Sequence, residues 1–113
     1  MRARKLILQD ILNFEGDIRD LKKELDKYPF DSKYPLIIIN SKTVCAILKK
    51  TISGIISFDD LEEWANIVEC RDDVDFENEN IQEIIFELAN PELNEQLSLE
   101  LLIGYLKSLK KNI

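Results

Sequence analysis

The stretch SFDDLEEWANIVECRDDVDFENEN, residues 57–80, joins a well-specified helix start to the densest run of negative charge in the chain. Ser57 is a favoured N-cap residue, and Asp60 lies three positions later, where a carboxylate can bond to the cap amide. Ile56 and Leu61 flank this start at the spacing of a hydrophobic staple. These residues therefore predict a helix that begins directly after the cap.

The predicted helix runs from Phe58 to about Cys70 and has one apolar stripe. The stripe residues recur at the i, i+3, i+4 and i+7 spacing of a buried helix face, and they are Leu61, Trp64, Ala65 and Val68. Trp64 is the only tryptophan of the chain, and its place on the stripe favours core packing over stacking on a ligand. We therefore expect one side of this helix to anchor the core.

The composition is that of a globular protein. The chain has 113 residues, of which 45% are hydrophobic and 33% charged, so residues 1–113 are expected to form a single domain around one core. No apolar run approaches the roughly 20 residues that span a bilayer. At the N-terminus Gln9, Asp10 and Asn13 interrupt the apolar run, which disfavours a signal peptide. Cys45 lies on an apolar helical face, which indicates a buried thiol, a reducing compartment and therefore a cytoplasmic localisation.

The charge is distributed unevenly along the chain. The net charge is −7, yet residues 1–50 hold eleven Lys and Arg against seven Asp and Glu. Residues 51–106 hold a single basic residue, Arg71, against fifteen acidic ones. A field of one sign repels nucleic acid and anionic membranes and attracts basic partners. We therefore expect a basic protein partner, no nucleic-acid binding and no membrane binding.

Helical periodicity and capping residues recur along the rest of the chain. They predict one helix that ends near Gly16, and further helices that begin at Asp17, Ser41, Asn80 and Ser98. The run Leu36–Ile39 is strand-like, but it has no visible partner and is interpreted as an extended, core-filling link. The predicted fold is all-α, a single compact bundle of five or six short helices.

The residue inventory disfavours an enzyme, a cofactor and a metal site. Histidine, the commonest general base and metal ligand, is absent, and the three glycines stand alone rather than in a phosphate loop. Asp73, Asp75 and Glu77 match the first ligands of an EF-hand loop, but Asn78 and Ile84 stand where that loop requires Gly and Glu. The acidic run, which comprises Asp72, Asp73, Asp75, Glu77 and Glu79, is therefore interpreted as a solvated loop that leads into a capped helix.

Carboxylate pairs and one aromatic segment are the remaining candidates for a functional site. Carboxylate pairs such as Asp59 with Glu63 are neighbours on one helix face, and glycoside hydrolysis needs two carboxylates across a cleft. The aromatic residues of the segment 28–34, which surround Pro29, suit either a lid on the core or a partner contact. The sequence leaves those two alternatives open.

Three phrases of the chain resemble a known group of proteins. The phrases YPFDSKYPL (28–36), DLEEWANIVECRDDVDFE (60–77) and IIFELANPELN (84–94) resemble small, acidic, helical bacterial proteins, among them immunity partners of polymorphic or contact-dependent toxins. The acidic character is also similar, by analogy, to that of colicin-type nuclease immunity proteins, although their recognition-helix phrase is absent. The resemblance implies a helical fold and a toxin partner, and it carries no catalytic residues.

The leading hypothesis is an immunity or antitoxin-like protein, monomeric when free, that neutralises a basic toxin such as a nuclease. The alternative is a non-inhibitory adaptor or structural subunit that docks on a basic protein. In either case the expected partner-binding residues are Asp59, Asp60, Glu62, Glu63, Glu69, Asp72, Asp73, Asp75, Glu77 and Glu79.

Overall fold

The computed structural model describes residues 3–28, 34–69, 71–91 and 98–110, and within these it contains six α-helices and one pair of short strands. In chain order the elements are α1 (Arg4–Asn13), α2 (Ile18–Leu25), β1 (Ile37–Ile39), α3 (Ser41–Ile52), α4 (Phe58–Val68), β2 (Val74–Phe76), α5 (Glu79–Ala89) and α6 (Leu99–Lys110). The predicted all-α class is confirmed, with one strand pair added to it. All eight elements contribute to one hydrophobic cluster, and none of the described helices is long and apolar enough to cross a bilayer.

Helix α4 begins where the sequence predicts. The Ser57 hydroxyl accepts a hydrogen bond from the Asp60 amide at 3.1 Å, so it satisfies one of the donors that a helix start leaves free. The helix ends at Val68, because Glu69 takes an extended conformation with ψ 145°. The predicted end, Cys70, lies outside the described residues.

Two other predicted helix starts are also confirmed. The Asp17 carboxylate caps α2 by accepting from the Arg19 and Asp20 amides, at 2.9 and 3.3 Å. The Ser98 hydroxyl caps α6 by accepting from the Leu101 amide at 3.2 Å. In each case a short polar side chain precedes an apolar periodic segment, which is the pattern from which the start was predicted.

Two predicted starts are wrong by one or two residues, because neighbouring asparagines provide the caps. α3 is capped by Asn40, whose side-chain oxygen accepts from the Thr43 amide at 2.8 Å, and not by Ser41. α5 is capped by Asn78, so Asn80 lies inside its first turn. Asparagine is as strong an N-cap as serine. The two candidate caps of α3, Asn40 and Ser41, differ in burial, because Ser41 is only 4% exposed.

The interpretation of Leu36–Ile39 as an unpaired link is wrong. Residues Ile37–Ile39 form a parallel pair with Val74–Phe76. The partner strand lies inside the acidic run, where acidic and apolar residues alternate from Asp73 to Glu77. Alternation of this kind is typical of a half-buried strand, and the high charge of the run concealed it. The middle of the acidic run is therefore a strand and not a solvated loop.

The core role predicted for Trp64 is confirmed. Its side chain is fully buried, and the indole N–H donates to the Ile11 carbonyl at 2.8 Å. That carbonyl lies in the last turn of α1, where Phe14 adopts a left-handed conformation (φ 53°) and its amide donates to the same oxygen at 3.1 Å. Trp64 thus joins α4 to the end of α1, which stops before the predicted end at Gly16.

The two described aromatic residues of the segment 28–34 differ in exposure. Tyr28 is half-buried and packs against the hydrophobic cluster, whereas Tyr34 is 73% exposed. Phe30 lies outside the described residues. Cys45 is buried, as its helical face predicts, and it forms no disulfide.

Candidate partner-binding surface

The polar side of α4 carries four of the ten carboxylates that were predicted to bind a partner. The helix turns its apolar stripe inward, and at least part of the side chain stays exposed at Asp59, Glu62, Glu63 and Glu69. None of these four carboxylates forms an ion pair with another described residue. Within the described part of the chain, their charge is therefore available to an approaching cationic group.

Asp60 differs from these four residues because it has an ion-pair partner within the chain. Its carboxylate accepts from the Arg19 guanidinium at 2.8 Å, and its side chain is only 30% exposed. This ion pair joins α4 to the first turn of α2. Asp60 is therefore less available to an external partner than Asp59 beside it.

A second group of exposed carboxylates surrounds β2. It comprises Asp72, Asp75, Glu77 and Glu79. The Asp75 carboxylate accepts from the Phe76 amide at 2.8 Å, and the Ser41 hydroxyl donates to Glu77 Oε1 at 3.4 Å. No member of the group forms an ion pair with another residue that the structure describes.

Asp73 does not belong to this surface, and its prediction as a partner-binding residue is wrong. Its side chain is 0% exposed. The Arg71 guanidinium donates to both of its oxygens, from Nε at 2.8 Å and from an Nη at 3.0 Å, and Arg4 Nε lies 3.7 Å away. The Asp73 backbone carbonyl accepts from the amides of Leu36 and Ile37 at 2.8 and 3.3 Å. A buried carboxylate with two cationic neighbours ties α1, β1 and β2 together.

The burial of Arg71 changes the charge that the second half of the chain presents. Arg71 is the single basic residue of residues 51–106, and it is only 6% exposed. Its charge faces Asp73 rather than the surface. The exposed charge of this half is therefore even more one-sided than the composition indicates, because the lone cation does not offset the surface carboxylates.

The pairing of Arg71 with Asp73 was missed, although the sequence contains a signal for it. An arginine and a carboxylate two positions apart are close enough to pair within a turn, and residues 72 and 73 form a turn directly before β2. A single arginine among fifteen acidic residues is also expected to form an ion pair with one of them. Arg4, the third member, is 69 positions away from Asp73, and no local pattern could have identified it.

The described residues do not bring reactive side chains together in a cluster. A cleft of about 150 Å³ is lined by Lys22, Leu25, Asp26, Asn66, Ile67 and Arg71. Its charged members are already engaged, Lys22 with Asp26 at 3.3 Å and Arg71 with Asp73. No three or more His, Cys, Asp or Glu side chains of the described residues are grouped as metal ligands would be. The arrangement thus offers charged surface for binding.

Comparison with known proteins adds no relative. Neither a protein-family model, nor a curated protein, nor a solved structure matches the chain. The resemblance to toxin-immunity proteins therefore stays a prediction that depends on the three phrases of the sequence.

Proposed function

We propose that this protein is an immunity or antitoxin-like protein that binds a basic bacterial toxin, such as a nuclease domain, and neutralises it without catalysis. The observation that carries the proposal is the set of eight carboxylates on α4 and around β2 that have no ion-pair partner among the described residues. We call this set the acidic surface residues: Asp59, Glu62, Glu63, Glu69, Asp72, Asp75, Glu77 and Glu79.

The physical basis is the opposite charge that a nuclease must present. A nuclease needs cationic side chains to hold phosphates, and an acidic protein can occupy the same side chains in place of nucleic acid. Complementary charge mainly raises the association rate and excludes wrong partners. Affinity then depends on a few well-packed contacts at the centre of the interface. Such a protein acts in the cytoplasm, where a buried thiol such as Cys45 stays reduced.

The test is growth rescue by co-expression. A basic toxin domain, sought among the genes directly upstream of this one, is expressed in a bacterial host, alone and together with this protein. We expect arrest with the toxin alone and growth with both, and a complex of the two proteins that survives size-exclusion chromatography. A second protein has all eight acidic surface residues replaced with Asn or Gln. This eightfold variant should fold yet fail to rescue.

Two results would contradict the proposal in different ways. A complex that forms without blocking the toxin would identify the protein as a non-inhibitory adaptor. Rescue that is unchanged in the eightfold variant would show that the acidic surface residues are not the binding determinant.

A further inference from the structure

The backbone of β1 has a free edge at its central residue. In the parallel pair, the Ile37 amide donates to the Asp73 carbonyl at 3.3 Å, and the Ile39 carbonyl accepts from the Glu77 amide at 2.9 Å. Alternate residues of a strand direct their amide and carbonyl to opposite sides. Since Ile37 and Ile39 face β2, the amide and carbonyl of Ile38 point away from it.

Nothing in the described part of the chain takes up these two groups. Neither the amide nor the carbonyl of Ile38 forms a hydrogen bond with another described residue outside the strand pair. The Ile38 side chain is also unusually accessible, with 60% of the residue exposed, although both neighbours in the strand are buried. An exposed isoleucine beside an unpaired amide and carbonyl is the template that an added strand requires.

On the opposite edge of the sheet, one outward amide has a partner within the protein. By the same alternation, the Phe76 amide of β2 points away from β1, and the Asp75 carboxylate accepts from it at 2.8 Å. Proteins commonly protect sheet edges with charged side chains and local bonds of this kind. The two edges thus differ at these residues, because the outward amide of Phe76 has a partner and that of Ile38 has none among the described residues.

We propose that the Ile38 edge binds an extended, basic segment of the partner as a third, antiparallel strand. One residue of that segment would exchange both backbone hydrogen bonds with Ile38, and its apolar side chain would cover the exposed isoleucine. This inference rests on the proposed function, since it gives the toxin a specific site of attachment.

The charge beside this edge selects a basic segment. Glu77 follows β2, and its Oε1 accepts from the hydroxyl of Ser41, which comes two residues after β1, so this exposed carboxylate lies on the β1 side of the sheet. A third strand would lie about 5 Å from β1, one strand spacing away, and an extended Lys or Arg side chain of that strand can reach a carboxylate beside the end of β1. A second copy of this chain fits less well, because pairing two β1 edges would bring two acidic faces together.

The first test measures the edge directly by NMR. In the free protein we expect the Ile38 amide to exchange with solvent much faster than the Ile39 amide, which is bonded within the sheet. Titration with a peptide of alternating valine and lysine should shift the resonances of Ile38 and Glu77 and slow exchange at Ile38. A matched peptide of alternating valine and glutamate should do neither. An Ile38 amide that is already protected in the dilute free protein would overturn the proposal.

Variants separate the edge from the general charge. Ile38→Pro removes the outward amide without removing a bond to β2, and it should weaken peptide binding about tenfold. Ile38→Thr keeps the amide and the strand propensity, and it should weaken binding less. If Ile38→Pro does not fold, Ile38→Lys keeps the amide and places a like charge against the basic segment, and it should weaken binding at low salt.

The outcomes distinguish this inference from the proposed function. If the eightfold carboxylate variant loses growth rescue while Ile38→Pro and Ile38→Lys fold and rescue fully, the strand-edge proposal is wrong and the immunity function stands. Protection of Ile38 that increases with protein concentration alone would identify a second copy as the occupant, and would equally overturn a basic segment. Shifts confined to α4 during the peptide titration would move the attachment site there.

Discussion

Asp73 and its neighbours Asp72 and Asp75 have the same side chain but differ in solvent exposure. Asp73 is fully buried between Arg71 and Arg4, whereas Asp72 and Asp75 are exposed and have no ion-pair partner among the described residues. The difference arises at the start of β2, because Asp73 lies in the turn before Val74 and faces Arg71 and Arg4, whereas Asp75 lies on the exposed face of the strand. One short acidic run therefore supplies both a structural ion cluster and part of the surface proposed to bind a partner.

Substitution of Asp73 should have the largest effect on stability. Asp73→Ala leaves the buried guanidinium of Arg71 without its carboxylate, and such a loss typically costs about 3–5 kcal/mol. Asp72→Ala is the matched control and should stay within about 0.5 kcal/mol of the wild type. Urea unfolding followed by circular dichroism measures both. Equal midpoints for the two variants would contradict the assignment of Asp73 to the interior.

The double substitution Arg71→Met with Asp73→Leu sharpens this result. Replacement of a buried ion pair by apolar side chains is often neutral or stabilising, whereas removal of one partner is costly. We therefore expect the double variant to recover much of the stability that Asp73→Ala loses. Arg4, which lies 3.7 Å from Asp73, is partly exposed and can turn to solvent. A double variant as unstable as Asp73→Ala would show that the cluster does more than balance charge.

Substitution of Trp64 should have a comparable effect through a different mechanism. Trp64→Ala removes a fully buried side chain and the 2.8 Å hydrogen bond to Ile11, and truncation of a large core aromatic costs about 3–5 kcal/mol. Thermal melting measures the loss. A variant that melts like the wild type but no longer binds its partner would make Trp64 an interface residue instead.

Tyr105 gives a smaller effect that depends on pH. Burial, followed by the hydrogen bond to Glu87 at 2.7 Å, raises the pKa of Tyr105 above its ordinary value. A raised pKa means that the neutral phenol is favoured in the folded state. Its contribution is therefore present below about pH 10, the unfolded value, and is lost as the pH rises further.

Tyr105→Phe removes that contribution. We expect a loss of about 1–2 kcal/mol at pH 8, since the bond joins a hydroxyl to a carboxylate. The difference from the wild type should shrink above about pH 10, because Tyr105 of the unfolded wild type then ionises while the folded state keeps the phenol neutral. Urea midpoints at both pH values provide the measurement. A difference that is constant across this range would assign the effect to packing alone.

The sequence predicted local features well and long-range ones poorly. Ser57, Asp17 and Ser98 were identified as caps because each capping bond spans only two or three residues. The pairing of β1 with β2 joins residues 37 positions apart, and a three-residue strand has too short a pattern to indicate its partner. The same limit applies to Asp73, whose burial depends on the position of α1.

The acidic surface residues should give the smallest change in stability and the clearest change in association. Asp72→Asn, Asp75→Asn, Glu77→Gln and Glu79→Gln together remove four charges around β2, and the equivalent variant of α4 replaces Asp59, Glu62, Glu63 and Glu69. A matched control neutralises four exposed acids elsewhere, at Glu15, Asp20, Glu83 and Glu100. All three variants change the net charge equally, so any difference between them reports where the charge lies.

We expect the β2 variant to slow association with the basic toxin domain most, and to flatten its dependence on salt, because close complementary charge acts on the rate of encounter. The α4 variant should follow, and the control should change the rate least. Stopped-flow kinetics at low and moderate salt measure this order, while urea midpoints should differ little among the three. Equal rates for the β2 variant and the control would mean that net charge, and not the surface around β2, attracts the partner. The contrast between Asp73 and its exposed neighbours would then distinguish only buried from exposed residues. The interface would have to be sought elsewhere, beginning with the exposed Tyr34.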